Sequence, residues 1–306
     1  MSFNNIIGNN NVKNILIKSI NNETVLHSYM FIGEQGIGKK LIAEQFAKMI
    51  LCEAYEGKEC DKCKSCVEFD SGNNPDFKMI EPDGKTIKIE QIREMQTKVA
   101  EKPVNSGKKI YIIDDADLMT KEAQNCLLKT LEEPPEYIVI ILIVSNENRV
   151  LTTIKSRCMK MHFEKISDEE IKKYLNEICG IQDFNNNILK MCDGSIGKCL
   201  DVKDRLNEYK EIENVFSNLN TSITKFVNSA EILYKNKEYI NDYLEYINVI
   251  LYSYAKKDVN KVKYINSIRI VEKTKQRLLS NGNYDMCIDY LLFNIWEEIN
   301  EKNSRG

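Results

Sequence analysis

The stretch Gly33-Glu34-Gln35-Gly36-Ile37-Gly38-Lys39-Lys40 constrains this chain more than any other. It follows a short apolar run, Tyr29-Met30-Phe31-Ile32, and opens a helical pattern from Leu41 to Leu51. Strand, glycine loop and helix, in that order, are the setting of a phosphate-binding P-loop. Gly33 and Gly38 stand at the two fixed glycines, with Gly36 between them, and Lys39 stands where a lysine reaches the β- and γ-phosphates. Such a loop curls its backbone N–H groups around anionic oxygens, and the new helix adds its positive pole. The motif ordinarily closes with Ser or Thr, whose hydroxyl binds Mg²⁺; here that residue is Lys40. An ammonium has no lone pair to offer a cation. The loop is therefore built on an NTPase plan without one part needed for hydrolysis, and whether ATP with Mg²⁺ binds at all stays open. The bland alternative is a glycine turn that binds nothing.

A second element points the same way. Lys109-Ile110-Tyr111-Ile112-Ile113-Asp114-Asp115-Ala116-Asp117 is an apolar strand ending in carboxylates, as a Walker B strand does. Asp114 is placed to hold Mg²⁺, directly or through water. Asp115 stands where a water-polarising Glu is usual, one methylene shorter, and geometry at such a position matters. Ile138 to Val144 is a continuous β-branched run, which predicts a buried parallel strand, and Ser145 at its end can point a hydroxyl at a γ-phosphate. Thr120 can cap a helix that Pro134-Pro135 ends.

Cys52, Cys60, Cys63 and Cys66 are spaced C-x7-C-x2-C-x2-C, with Gly57, Asp61 and Lys62 between them. Four thiolates on a tight polar connector suit a closed, tetrahedral structural zinc site. An iron–sulfur cluster takes the same four ligands and is the alternative. The other cysteines, 126, 158, 179, 192, 199 and 287, fall on apolar patterns and read as packing residues.

The chain has 306 residues, 42% hydrophobic and 29% charged, with a formal net charge of −3. No global basic field advertises nucleic acid, so any DNA contact must be local or shared with partners. No signal-like start and no run long enough to span a bilayer is present, which makes a cytoplasmic protein the expectation. All five prolines lie in the first half, and neither Gly nor Pro occurs between Lys198 and Asn281. That contrast predicts an α/β first half and a helical second half. There, Leu244, Ile247, Leu251 and Tyr254 recur at helical spacing, as do Met286, Tyr290, Phe293 and Trp296. An ordinary helical core accounts for both series.

Leu127-Leu128-Lys129-Thr130-Leu131-Glu132-Glu133-Pro134-Pro135, followed by Ser156-Arg157-Cys158, resembles the clamp-loader branch of the AAA+ proteins. The Cys₄ insertion after the P-loop helix is similar to that of bacterial clamp-loader subunits. The resemblance implies a RecA-like parallel-sheet domain over 1–165 with its zinc module at 52–66. It implies a small helical lid over 166–208 and an all-α collar over 209–306. It also implies a pentameric ring with gamma/tau and delta subunits, acting on a sliding clamp and primer-template DNA within a DNA polymerase holoenzyme. Three departures from the gamma/tau motor pattern occur together: Lys40, Asp115, and Gly197 where Gly194-Ser195-Ile196-Gly197 matches a Gly-Ser-x-Arg sensor motif. Arg157 is kept, and the resemblance makes it an arginine finger acting in trans on a neighbour's ATP. These features imply an accessory subunit without ATPase activity of its own. The alternatives are a gamma/tau-like ATPase that tolerates Lys40, and a stand-alone zinc-dependent nucleic-acid binder.

Overall fold

The computed structural model describes the chain apart from residues 1–2, 4–5, 56–59, 182–183, 260 and 301–306. Gly57 of the cysteine loop therefore lies outside the described residues. Two compact units are present: 1–174 with 194–197, and 175–193 with 198–306. The division falls inside the segment 166–208 expected as a lid.

In the first unit five strands form one sheet: β1 (Ser28–Ile32), β2 (Phe77–Ile80), β3 (Lys109–Ile113), β4 (Ile138–Val144) and β5 (Met159–His162). Their order is β2-β3-β4-β1-β5, and every pairing is parallel. The three central strands are buried along their whole length, whereas β2 and β5 at the edges are partly exposed. This is why the central strands read as unbroken apolar runs and β5 reads Met-Lys-Met-His.

Alternate residues of each strand serve opposite layers. Met30, Tyr111, Ile113, Ile140 and Leu142 pack under α4 (Ile89–Val99) and α5 (Lys121–Glu132). Tyr29, Phe31, Ile112, Ile141 and Ile143 pack under α1 (Asn10–Asn21) and α2 (Lys39–Leu51). Phe46 of α2 is fully buried and meets Tyr29 edge-on at 5.3 Å between ring centroids. Loss of such a ring costs about 3–5 kcal/mol. Thr120 caps α5, its Oγ1 accepting from the Ala123 N–H at 3.2 Å. A short helix α3 (Lys64–Asp70) follows the cysteines, and α6 (Thr152–Lys155) precedes Arg157.

The described residues of the second unit form helices joined by turns, with no strand among them. Helix α7 (Asp168–Glu177) ends in it, and α8 (Asn186–Cys192) and α9 (Ile196–Val202) precede α10 (Leu206–Ser217). Then come α11 (Ile223–Ser229), α12 (Glu231–Lys235), α13 (Ile240–Lys257), α14 (Val262–Leu279) and α15 (Tyr284–Asn300). Leu244, Ile247 and Leu251 of α13 are core, as their spacing predicts. The α15 series is a different matter. Met286 is 70% and Phe293 50% exposed, while Cys287, Ile288, Leu291, Leu292 and Ile295 form the core face. An ordinary core therefore does not account for Met286 and Phe293. This helix carries apolar residues on two sides, and spacing alone cannot say which side faces inward.

Candidate functional site

Four neighbouring parallel strands bring their carboxyl ends together: three deliver residues that line a pocket, and the fourth, β2, delivers the partner of one of them. The P-loop follows β1, Glu81 follows β2, Asp114 follows β3 and Ser145 follows β4. Ligand crevices in parallel sheets form at this edge, where the strand order reverses. Gly38 adopts φ +91° at the start of α2, a conformation that a side chain resists, and the helix begins at once with Lys39. The Lys39 ammonium folds back into the loop. It donates to the Gly33 and Glu34 carbonyls at 2.6 Å each and to Ser145 Oγ at 3.4 Å. Burial draws its pKa below the ordinary lysine value, with Asp115, Asp114 and Asp117 working the other way. Gly33, Gly36, Gly38, Lys39, Asp114 and Ser145 are thus brought to one place.

Lys40 settles whether Mg²⁺ fits the P-loop's metal position. Its ammonium lies 2.5 Å from Glu81 Oε1 and 3.1 Å from Asp114 Oδ2. Burial opposes the charge, but the two carboxylates outweigh it and hold the pKa above the ordinary lysine value. A side-chain cation thus engages the carboxylate that would hold the metal, and the hydroxyl ligand is missing. The residues present do not fit Mg²⁺. Glu81 escaped the reading of the sequence. The signal was the register Ile80↔Ile113, which sets Glu81 beside Asp114, and register is not visible before the strands are paired.

Asp115 sits at φ +47°, and burial with Asp114 and Asp117 nearby raises its carboxyl pKa. Asp117 is buried and accepts from the Ser145 N–H at 2.9 Å, so it fixes the end of β4. Gly197 donates its N–H to the Gly36 carbonyl at 2.9 Å. A Cβ on Gly197 would lie 2.8 Å from Gly36 Cα, so the matching position of the sensor motif has no room for an arginine here.

The four cysteines converge: the sulfurs of Cys52, Cys60, Cys63 and Cys66 all lie within 4.8 Å of one another. Tetrahedral zinc–sulfur bonds of about 2.3 Å imply sulfurs roughly 3.8 Å apart, so the set fits a closed metal site with slight contraction. Backbone N–H groups of Cys60, Cys63 and Cys66 donate to the sulfurs of Cys52, Cys60 and Cys63 at 3.2–3.4 Å. N–H donation from Lys62 and Cys63 draws the Cys60 thiol down to about 6. Lys48, buried on α2, pairs with Asp61 in the cysteine loop and with Asp70 at 2.8 Å on α3. It ties the module to the P-loop helix.

Arg157 stands apart from these groups. Its guanidinium pairs with Glu132 Oε1 at 2.7 Å and donates to the Thr153 carbonyl at 2.8 Å, and its side chain is 34% exposed. Within this chain it is an ion-paired surface arginine, and Glu132 is a partner that the tripeptide Ser-Arg-Cys did not announce. Among the described residues no helix is long and apolar enough to cross a membrane.

The sequence model of the family described as "DNA polymerase III, delta subunit" matches residues 8–167. The chain is 38% identical over 166 residues to the DNA polymerase III subunit delta′ of Bacillus subtilis, covering 54% of this chain and 50% of that protein. It is 31% identical over 219 residues to the gamma/tau subunit of Mycoplasma pneumoniae, covering 70% of this chain and 32% of that protein. The chain thus spans about a third of one relative's length and half of the other's. A solved DNA polymerase III gamma subunit-related protein from Thermotoga maritima is 16% identical, with a TM-score of 0.52 over 94% of this chain and 98% of its own. That likeness is one of fold. With the parallel sheet, the P-loop and the family match in agreement, the chain belongs to the DNA polymerase III, delta subunit family.

Proposed function

We propose that this chain is the accessory, delta-prime-type subunit of the DNA polymerase III clamp loader. In this reading it joins gamma/tau and delta subunits in a pentameric ring and assists loading of the sliding clamp on primed DNA, without turning over ATP. The observation that carries it is Lys40, whose ammonium lies between Asp114 and Glu81. Chemistry on a γ-phosphoryl group depends on a metal ion bridging the β- and γ-oxygens, and this pocket meets such an ion with a cation. The retained Arg157 supports a role across a subunit boundary: a guanidinium there can neutralise charge on a neighbour's transferring phosphoryl group. Zinc held by Cys52, Cys60, Cys63 and Cys66 supplies a structural cross-link, since a closed Cys₄ set keeps no open position for chemistry. The exposed Met286 and Phe293 support a collar role for the second unit.

A second reading, a gamma/tau-like ATPase, is favoured by the likeness to a gamma/tau subunit over 70% of this chain. Steady-state ATP turnover by the purified chain separates the two. The expected result is no rate above that of Lys39→Ala, together with co-purification with other clamp-loader subunits. Steady turnover abolished by Lys39→Ala would promote the motor reading.

A further inference from the structure

The mismatch between this pocket and Mg²⁺ has a consequence for what the pocket selects. A cavity of about 370 Å³ opens at the P-loop. Its lining joins Gly36, Gly38, Lys39 and Lys40 to an apolar set that includes Ile7, Ile166 and Tyr174. Room, a phosphate loop and an apolar wall for a base are all present in one compact unit. The charges are distributed unevenly. Lys39 bonds neutral oxygens, the carbonyls of Gly33 and Glu34 and the hydroxyl of Ser145. Its positive charge, with the loop N–H groups and the amino end of the 13-residue α2, can meet an α,β-diphosphate. The charge of Lys40 is already matched by Glu81 and Asp114. A γ-phosphate would lie toward Asp114, Asp115 and Ser145, the end where a divalent ion normally masks carboxylates. Here no ligand set recruits that ion: Lys40 masks Asp114 and Lys39 is shared with the β-position, which leaves the Asp115 carboxylate unmasked beside a third phosphate.

We propose that this P-loop pocket is a metal-independent site for a nucleoside diphosphate, with the Lys40 ammonium in place of the divalent ion and discrimination against the triphosphate. The proposal goes beyond the ring role and does not depend on it. A chain that assembles with clamp-loader subunits yet binds no diphosphate would sink this inference alone.

The test is calorimetric titration of the full chain with ADP and with ATP, each in EDTA and in excess Mg²⁺. The expected result is an ADP Kd that agrees within threefold between the two buffers. In EDTA, ADP should bind at least tenfold more tightly than ATP. Lys39→Ala should abolish ADP binding, which places the probe at the P-loop. Lys40→Thr restores the hydroxyl and removes the ammonium, so its ADP affinity should become at least tenfold dependent on Mg²⁺. Lys40→Arg keeps a cation and should retain binding in EDTA, which separates lost charge from a damaged fold. No ADP binding in EDTA, a Mg²⁺ requirement in the unmodified chain, indifference to Lys39→Ala, or a Lys40→Thr variant that behaves as the parent would each overturn the proposal.

Discussion

One helix carries two ligand sets and treats them differently. Helix α2 begins with Lys39 and Lys40 of the P-loop, and Cys52 of the cysteine module directly follows its last residue, Leu51. At the cysteine end every donor is present and the sulfurs converge within 4.8 Å. At the P-loop end the spacing is intact, but one donor has become a cation seated between Asp114 and Glu81. Spacing places atoms, whereas the charge and lone pairs of each atom decide what can bind. The first set is complementary to a metal ion. The second presents a side-chain cation, Lys40, to the carboxylate of Asp114.

The largest effect is expected where the complementary set is broken. Purified protein should carry one zinc per chain, and Cys63→Ser should lose it. Structural zinc sites contribute folding free energy outright, so a loss of several kcal/mol should lower Tm by roughly 10 °C. Metal analysis giving well under one zinc, or iron with visible absorbance, would overturn the zinc assignment.

Arg157 extends the contrast to a residue whose proposed ligand lies on another subunit. Arg157→Ala should leave the chain folded and able to join the complex. It should slow DNA- and clamp-stimulated ATP hydrolysis at the adjacent motor site by about 10³-fold. Arg157→Lys should rescue poorly, since an ammonium lacks the planar fork of donors. The assay is ATPase of the reconstituted complex with the other motor sites disabled in their P-loops. An unchanged rate returns Arg157 to a structural ion pair with Glu132.

Much of the first unit was legible because its signals are local. Unbroken apolar runs marked β1, β3 and β4, the glycines marked the turn into α2, and Pro134-Pro135 marked the end of α5. The partners of the site residues were not legible. Glu81 meets Lys40 only through the β2–β3 register, and Glu132 meets Arg157 across 25 residues of chain. Gly197 reaches Gly36 from 161 residues away, so its backbone role could not be told from the mere loss of a side chain. The exposed face of α15 failed for another reason: a helix apolar on two sides carries no periodic signal that distinguishes core from surface.

Asp76 offers a smaller, pH-resolved test of how the cysteine module is joined to the sheet. The residue is buried and accepts backbone N–H groups from Val104, Asn105 and Ser106 at 2.7–3.0 Å. Burial works against its charge, but those donors outweigh it and depress its pKa. Asn105 in turn bonds Glu68 of α3 at 2.5 Å and Lys64 at 3.0 Å. A carboxylate with a depressed folded pKa contributes stability that is complete above its unfolded value of about 3.9 and is lost as pH falls through the folded value. Asp76→Asn should cost about 1–3 kcal/mol near neutrality and flatten the acid limb of the stability profile. Equal acid slopes in urea titrations of the two proteins would remove Asp76 from that role.

The smallest effect concerns Glu132, the partner that holds Arg157 in this chain. The pair is half exposed, and such pairs contribute about 0.2–1 kcal/mol. Glu132→Gln should therefore barely move the Tm of the isolated chain. Its value lies in the complex, where a neighbour's phosphate and Glu132 would compete for one guanidinium. Removing the competitor's charge should raise the adjacent-site ATPase by roughly two- to fivefold, the range that a free-energy change of up to about 1 kcal/mol allows. A neutral amide still accepts a hydrogen bond, so the side chain of Arg157 keeps its direction while losing the ionic hold. A fall of more than tenfold would reverse the assignment. Glu132 would then orient the guanidinium rather than compete for it, and the contact seen within one chain would be part of the machinery offered to the next.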